Sequence, residues 1–180
     1  MWKELRSAAI CLLLLTLLTG VVYPLAVTGL GHALFPAKAA GDTTLLGQPF
    51  DAPRYFWGRL SATTPGQYNA GASTGSNLGP TNPALVDAAK ARIALLRAAD
   101  PTATGAVPVD LVTASASGLD PHISPEAAYF QAPRVARIRG LDPARVAALV
   151  AEHVEGPDLG ILGDPRVNVV ALNRALDAMR

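Results

Sequence analysis

Apolar and polar positions follow two different patterns along the 180 residues. From Ser7 to Ala37 no side chain carries a formal charge, with His32 taken as neutral, and Leu12–Leu15, Leu17, Leu18, Val21 and Val22 make the run apolar. A helix of about 20 residues crosses a hydrocarbon layer of about 30 Å, so the run predicts one transmembrane helix even if tilted. Pro24 removes a backbone donor and predicts a bend about a turn short of the far end. Past Pro36 no second long apolar run appears. Short amphipathic pieces broken by glycine and proline take over.

Those pieces predict a mixed domain. Arg54–Leu60 reads as a strand with aromatic side chains on alternate faces. Tyr68–Thr81, rich in Gly, Ser, Asn and Thr, reads as a loop. Thr81 or Asn82 before Pro83 opens a helix to about Ala99, with Leu85, Ala89, Ile93 and Leu96 on one face. Val107–Ser115 alternates like a strand. Ser124-Pro125-Glu126 is a helix start, interrupted at Pro133 and stopped at Gly140. Asp142-Pro143 opens another, carrying Val146, Leu149, Val150 and His153 inward. Asp164-Pro165 opens the last, with Val169, Leu172 and Leu176 on one side. The expected fold is α+β, with about four helices and a few strands behind one N-terminal span. Residues 1–35 form the N-terminus and span, 36–50 a linker and 51–180 the domain.

Composition narrows the picture in three ways. Beyond Arg6 the chain is formally neutral, with 13 basic and 13 acidic residues, which gives no electrostatic reason to expect nucleic acid. Cys11, the single cysteine, lies in the apolar run, so intrachain disulfides and cysteine metal sites are excluded. Lys3 and Arg6 precede the span, and the positive-inside rule then leaves the N-terminus in the cytoplasm and the domain outside. A cleavable signal peptide is the alternative, with Ala37-Lys38-Ala39 as its cleavage site. The apolar run is nearly twice the usual length of about 7–15 residues, which favours a retained anchor. Gly20, Gly29 and Gly31 are small enough to admit a partner helix.

Candidate chemistry is sparse. The Gly71–Gly79 loop resembles a phosphate cradle, but no lysine follows its last glycine, and Lys90 lies well inside the next helix. Ser115, Ser117, Asp120 and His122 contain the residue types of a nucleophilic triad without a nucleophile elbow, and a structural turn is the favoured reading. His32, His122 and His153 lack metal-ligand spacing, so no metal site is expected. Arg134, Arg137, Arg139 and Arg145 read as a solvated helix strip.

Several segments resemble one known family in order. They are Tyr55-Phe56-Trp57-Gly58-Arg59-Leu60-Ser61; Tyr68-Asn69-Ala70-Gly71-Ala72-Ser73 with Ser76-Asn77-Leu78-Gly79-Pro80 and Thr81-Asn82-Pro83; Val107-Pro108 with Leu111 to Pro125, including Asp120 and His122; Ala132-Pro133-Arg134-Val135-Ala136; and Pro165-Arg166-Val167-Asn168-Val169 to Asn173. This ordered set is similar to the C chain of the bacterial potassium-transporting ATPase, the Kdp complex. The resemblance implies a small accessory subunit of a high-affinity potassium importer in the inner membrane. A channel-like chain would carry the ion and a P-type ATPase chain would hydrolyse ATP. It further implies support of assembly, and a chaperone-like effect that raises the ATPase chain's affinity for ATP. No bound cofactor is expected, ATP entering through that partner. Any direct nucleotide contact would fall to Ser115, Ser117, Gly118 and Glu126. The residues alone leave two other readings open: an exterior hydrolase using Ser115 or Ser117 with His122, and a small-ligand module built on the Gly71–Gly79 loop.

Overall fold

The computed structural model describes residues 2–36, 41 and 43–179. Ala37-Lys38-Ala39 lies outside the described residues. Two units are described separately, Met1–Thr43 and Thr44–Arg180.

The first unit is one helix, α1 (Trp2–Leu34), long and apolar enough to cross a membrane. At about 1.5 Å per residue its 33 residues exceed a hydrocarbon layer, so only part of it needs to be immersed. Pro24 does not end it. One wide π turn at Leu18–Val22 precedes the proline, with Tyr23 N–H donating to Leu18 O. Such a turn is a recognised way for a helix to absorb a missing donor. Thr19 Oγ1 donates back to Leu15 O at 2.7 Å, covering its own hydroxyl without a partner helix.

The second unit is mixed, as expected. Its four helices are α2 (Pro83–Ala99), α3 (Pro125–Arg139), α4 (Pro143–Glu152) and α5 (Val169–Ala178). Three short strands, β1 (His122–Ile123), β2 (Val154–Glu155) and β3 (Arg166–Asn168), form an antiparallel sheet in the order β1-β3-β2. Ile123 and Val154 both face Val167 in register.

The helix starts follow side-chain chemistry. Asn82, Ser124 and Asp142 accept from the N–H of Ala84, Ala127 and Ala144 at 3.0 Å, and each stands before a proline that has no N–H to satisfy. Gly140 stops α3 in the left-handed region at φ 66°, where a side chain would be strained. Pro133 does not interrupt α3. The carbonyl it deprives belongs to Tyr129, and both residues are exposed, so the lost bond falls on the solvent side of the helix.

Four expectations fail for tertiary reasons. Asp164-Pro165 carries the helix-start signature, yet β3 follows it, because Val167 is fully buried between two strands. Asn168 is the true cap of α5, its Oδ1 accepting from Val170 and Ala171 N–H at 3.0 Å. Arg54–Leu60 is not a strand. Only Leu60 pairs, through one parallel bridge to Ala114. Val107–Ser115 is not a strand either; Val109–Leu111 forms a 3-10 turn that buries Leu111 and leaves Val109 exposed. On α2, Ile93 points outward, and Arg92 takes the inward position beside Leu96 and Trp57.

The core lies between α3, α4, α5 and the sheet, where Val135, Val146, Val150, Leu172 and Leu176 are fully buried. Leu149 and His153 are half-buried at its edge, and His153 Nδ1 lies 2.8 Å from Leu149 O. Each such aliphatic side chain stabilises the fold by about 1.5–3 kcal/mol.

Candidate functional site

The residues of the first matching motif are held by side chains of α3 and α5. Phe56 N–H donates to Asn173 Oδ1 at 3.0 Å, and Asn173 Nδ2 donates back to Phe56 O at 2.9 Å. Trp57 makes the same exchange with Gln131, at 2.8 and 3.1 Å. Two amides thus take the place of a neighbouring strand. A buried backbone that lacks a ladder needs such partners. This explains why an aromatic run that looks like a strand is not one.

Arg134 completes the clasp. It is 2% exposed and donates to Pro53 O, Tyr55 O and Gln131 Oε1. Its guanidinium sits 4.8 Å from the Trp57 ring centroid, and Arg92 lies 5.2 Å from the same ring. Burial lowers the Arg134 pKa to about 10, with Asp100 opposing the shift, so the group stays charged at neutral pH. The expected solvated strip is therefore corrected at Arg134. Arg137 pairs with Asp100 at 3.0 Å and Arg139 with Asp177 at 2.7 Å, while Arg145 is exposed.

The second and third motifs meet around Tyr68 and Gly118. Tyr68 OH donates to Arg59 O at 2.6 Å, and its N–H donates to Ser61 Oγ at 2.9 Å. Ser61 Oγ in turn donates to Gly118 O at 2.7 Å. Burial raises the Tyr68 pKa, against the pull of Arg92. The close fit excludes side chains at several glycines, Gly58 and Gly118 among them. A Cβ at Gly58 would lie 2.8 Å from Tyr68 OH; at Gly118, where φ is 70°, it would meet Thr63 Cγ2 at 2.5 Å and Thr74 O at 2.7 Å. Asn69 caps the short turn at Ala70–Ala72 by accepting from Gly71 N–H. Ser76, Asn77 and Gly79 continue this loop, with Asn77 at φ 53°.

Asp120 links the loop to β1. Its Oδ1 lies 3.0 Å from His122 N and 3.1 Å from His122 Nδ1, and its Oδ2 accepts from Arg59 Nη1 at 3.2 Å. Burial alone would raise the Asp120 pKa. The bonds from His122 and the charge of Arg59 outweigh it and hold the carboxyl below the usual range. Arg59 and Asp120 border two shallow clefts, one shared with Ser115 and Ser117 and one with His122, Asp110 and Asp164.

The hydroxyls that the alternative hydrolase reading would use are engaged elsewhere. Ser115 Oγ lies 3.2 Å from Ser117 Oγ and accepts from Gly118 N–H at 3.1 Å; Ser117 Oγ accepts from Leu119 N–H at 3.1 Å. Among the described residues no serine hydroxyl bonds a histidine, so the hydrolase reading has no support. Ser115 and Gly118 are buried, Ser117 and Glu126 exposed, and Glu126 lines neither cleft. In the Gly71–Gly79 loop, Thr74 N–H is spent on Ser117 O and Gly71 N–H on Asn69, which removes two donors from any phosphate cradle. Among the described residues no group of three metal-ligating side chains converges. In α1, Gly20, Gly29 and Gly31 all face open space, with no atom within 4 Å of an added Cβ.

Sequence reasoning missed Gln131 and Arg92. A glutamine or arginine in the middle of a helix carries no local sign that it will turn inward. The available hint was negative: an aromatic run with no partner strand needs donors and acceptors from somewhere.

The sequence is similar to known proteins over nearly its whole length. Residues 5–178 match the family model described as "K+-transporting ATPase, c chain". The chain is 61% identical to a relative in Variovorax paradoxus, with 97% of this chain and 95% of the relative covered. It is 61% identical to one in Polaromonas naphthalenivorans, with 98% and 95% covered, and 58% identical to one in Sorangium cellulosum over the full length of both. Each of the three is called "Potassium-transporting ATPase KdpC subunit". The chain belongs to the KdpC family, the C chains of the K+-transporting ATPase.

Proposed function

We propose that this chain is the accessory subunit of an ATP-driven potassium uptake complex, and that it acts by holding partner chains together rather than by chemistry of its own. The match over residues 5–178 carries this reading, since it spans both the apolar helix and the domain. One apolar helix together with membership of a membrane transport family makes it a single-pass membrane protein. Polar residues of the matching motifs support a scaffold: Asn173, Arg134, Tyr68 and Ser61 all fasten backbone, as does Gln131 just outside them.

The finer reading follows the charges. Lys3 and Arg6 keep the N-terminus in the cytoplasm, and the domain then lies outside the inner membrane. Gly20, Gly29 and Gly31 offer close approach to a helix of the channel-like chain or of the P-type ATPase chain. A domain outside the membrane does not meet cytoplasmic ATP. An effect on the ATPase chain's affinity for ATP would therefore pass through a two-state element in the embedded partners. Ser115, Ser117, Gly118 and Glu126 are accordingly read as architecture, not as a nucleotide site.

The test is co-purification of the full chain with its partners in mild detergent, alongside growth at limiting potassium. Co-purification and loss of growth on deletion are expected. A chain that runs alone despite co-expressed partners overturns the subunit reading. Orientation is tested with Cys11→Ser plus Lys90→Cys and an impermeant maleimide on intact spheroplasts. Labelling is expected, and protection until lysis overturns the exterior placement.

A further inference from the structure

The two most exposed large apolar side chains among the described residues of the domain sit on one turn, with a third beside them. Leu159 is 89% exposed, Ile161 81% and Leu162 57%. Single exposed aliphatics are ordinary, but three within four residues form a patch of the kind that marks contact sites.

This turn is built, not slack. Asp158 N–H donates to Leu162 O at 2.8 Å and Leu162 N–H returns to Asp158 O at 3.0 Å. Gly160 N–H is spent on Pro157 O at 3.0 Å and Ile161 N–H on Asp158 O at 3.3 Å. Leu159 is held at φ 55°, a conformation that disfavours a branched side chain, with Gly160 and Gly163 also in the left-handed region. Arg166 ties the base by reaching Asp158 at 3.4 Å and Glu155 at 3.1 Å. Because these backbone donors are satisfied within the turn, the tip can enter an apolar cleft without stranding them. Little ordering entropy remains to be lost on binding.

Charge selects the occupant. Within residues 155–166 the acids are Glu155, Asp158 and Asp164, and the one cation of that segment, Arg166, is already paired with two of them. An anionic bilayer surface repels that rim, and the tip carries neither the basic nor the aromatic residues of an interfacial anchor. A second copy would bring acid against acid. We infer that the Leu159–Leu162 tip docks into an apolar cleft with a basic rim, on the exterior face of a membrane-embedded chain of the same complex. The inference rests on the subunit reading above and adds the contact surface.

The experiment uses the full chain co-expressed with the transporter's other chains, with a benzophenone amino acid replacing Ile161. A photocrosslink to a peptide of a partner chain is expected. In parallel, the double variant Leu159→Ser/Ile161→Ser should leave the detergent-solubilised complex at least tenfold faster, and Asp164→Lys about threefold faster. The three positions are exposed, so thermal melting of the variants should match the parent chain. Crosslinks only to lipid, only to a second copy or to nothing overturn the proposal, as does an unchanged off-rate of the double variant. Failure of the parent chain to co-purify sinks the subunit reading together with this one. Co-purification without a tip crosslink sinks this one alone.

Discussion

The stretch from Thr44 to Thr81 and the stretch from His122 to Ala178 solve one problem in opposite ways. The later stretch satisfies its backbone by helix and sheet ladders, and its caps are residues next in sequence. The earlier stretch has one isolated bridge, Leu60 to Ala114, and a few single backbone bonds to residues 115–119. Its backbone is fastened by side chains far along the chain: Asn173 and Gln131 on Phe56 and Trp57, Arg134 on Tyr55, Asn168 on Thr44. Regular structure tolerates loss of one bond because its neighbours remain. A segment held by single side chains depends on each of them.

Arg134→Ala should therefore show the largest effect. It removes three donated bonds and the cation over Trp57, and leaves a cavity in place of a large buried side chain. A loss of about 3–5 kcal/mol is expected, read as the urea midpoint of the full chain in detergent. Arg134→Lys should recover only part of it, since one ammonium does not reproduce a planar fork with five donors. A midpoint within error of the parent chain for Arg134→Ala would make the clasp ornamental.

Asn173→Leu comes next. The side chain keeps a similar volume but strands Phe56 N–H and C=O, both buried, at a cost of about 2–4 kcal/mol. Substituting the exposed cap Asp142 by alanine touches the other kind of region and should cost only about 1 kcal/mol. Equal losses at the two positions would erase the distinction between the regions.

The same contrast separates what was readable in the sequence from what was not. Asn82-Pro83, Ser124-Pro125 and Asp142-Pro143 each opened a helix where expected, because capping is settled within three residues. Asp164-Pro165 has the same letters and fails, because Val167 gains more from pairing with Ile123 and Val154 than a local cap provides. Arg54–Leu60 misled for a related reason. Its Phe56 and Trp57 are both buried in succession, and its partners are amides 74 and 117 residues away. The ordered motifs include Asp120, His122 and Gly118, which lie within five residues of one another. That they fasten loops instead of reacting is visible only from their bonds.

Gly118→Ala tests the loop junction itself. A methyl there meets Thr63 and Thr74 O, and φ 70° adds backbone strain. A loss of about 1–2 kcal/mol is expected. It should appear as faster proteolysis within the 61–75 segment, while α3 and α5 keep their amide protection. Uniform loss of protection would mean that the junction belongs to the same cooperative unit as the helices.

The smallest effect should be on acid stability. Two carboxylates tie irregular segments: Asp100 accepts from Thr102 and Arg137, and Asp120 from His122 and Arg59. For both, burial pushes the pKa up and those bonds overcome it, so the folded values lie below the ordinary ones. As pH falls, the unfolded chain then takes up protons first. The stabilisation is complete above the ordinary value near 4 and is lost as pH drops through the lower folded value. The parent chain should show a urea midpoint that falls below about pH 4, and Asp100→Asn/Asp120→Asn should start lower at neutral pH but fall less on acidification. Parallel curves would mean that these two bridges contribute nothing specific to the irregular half, leaving its stability to the neutral amides and Arg134.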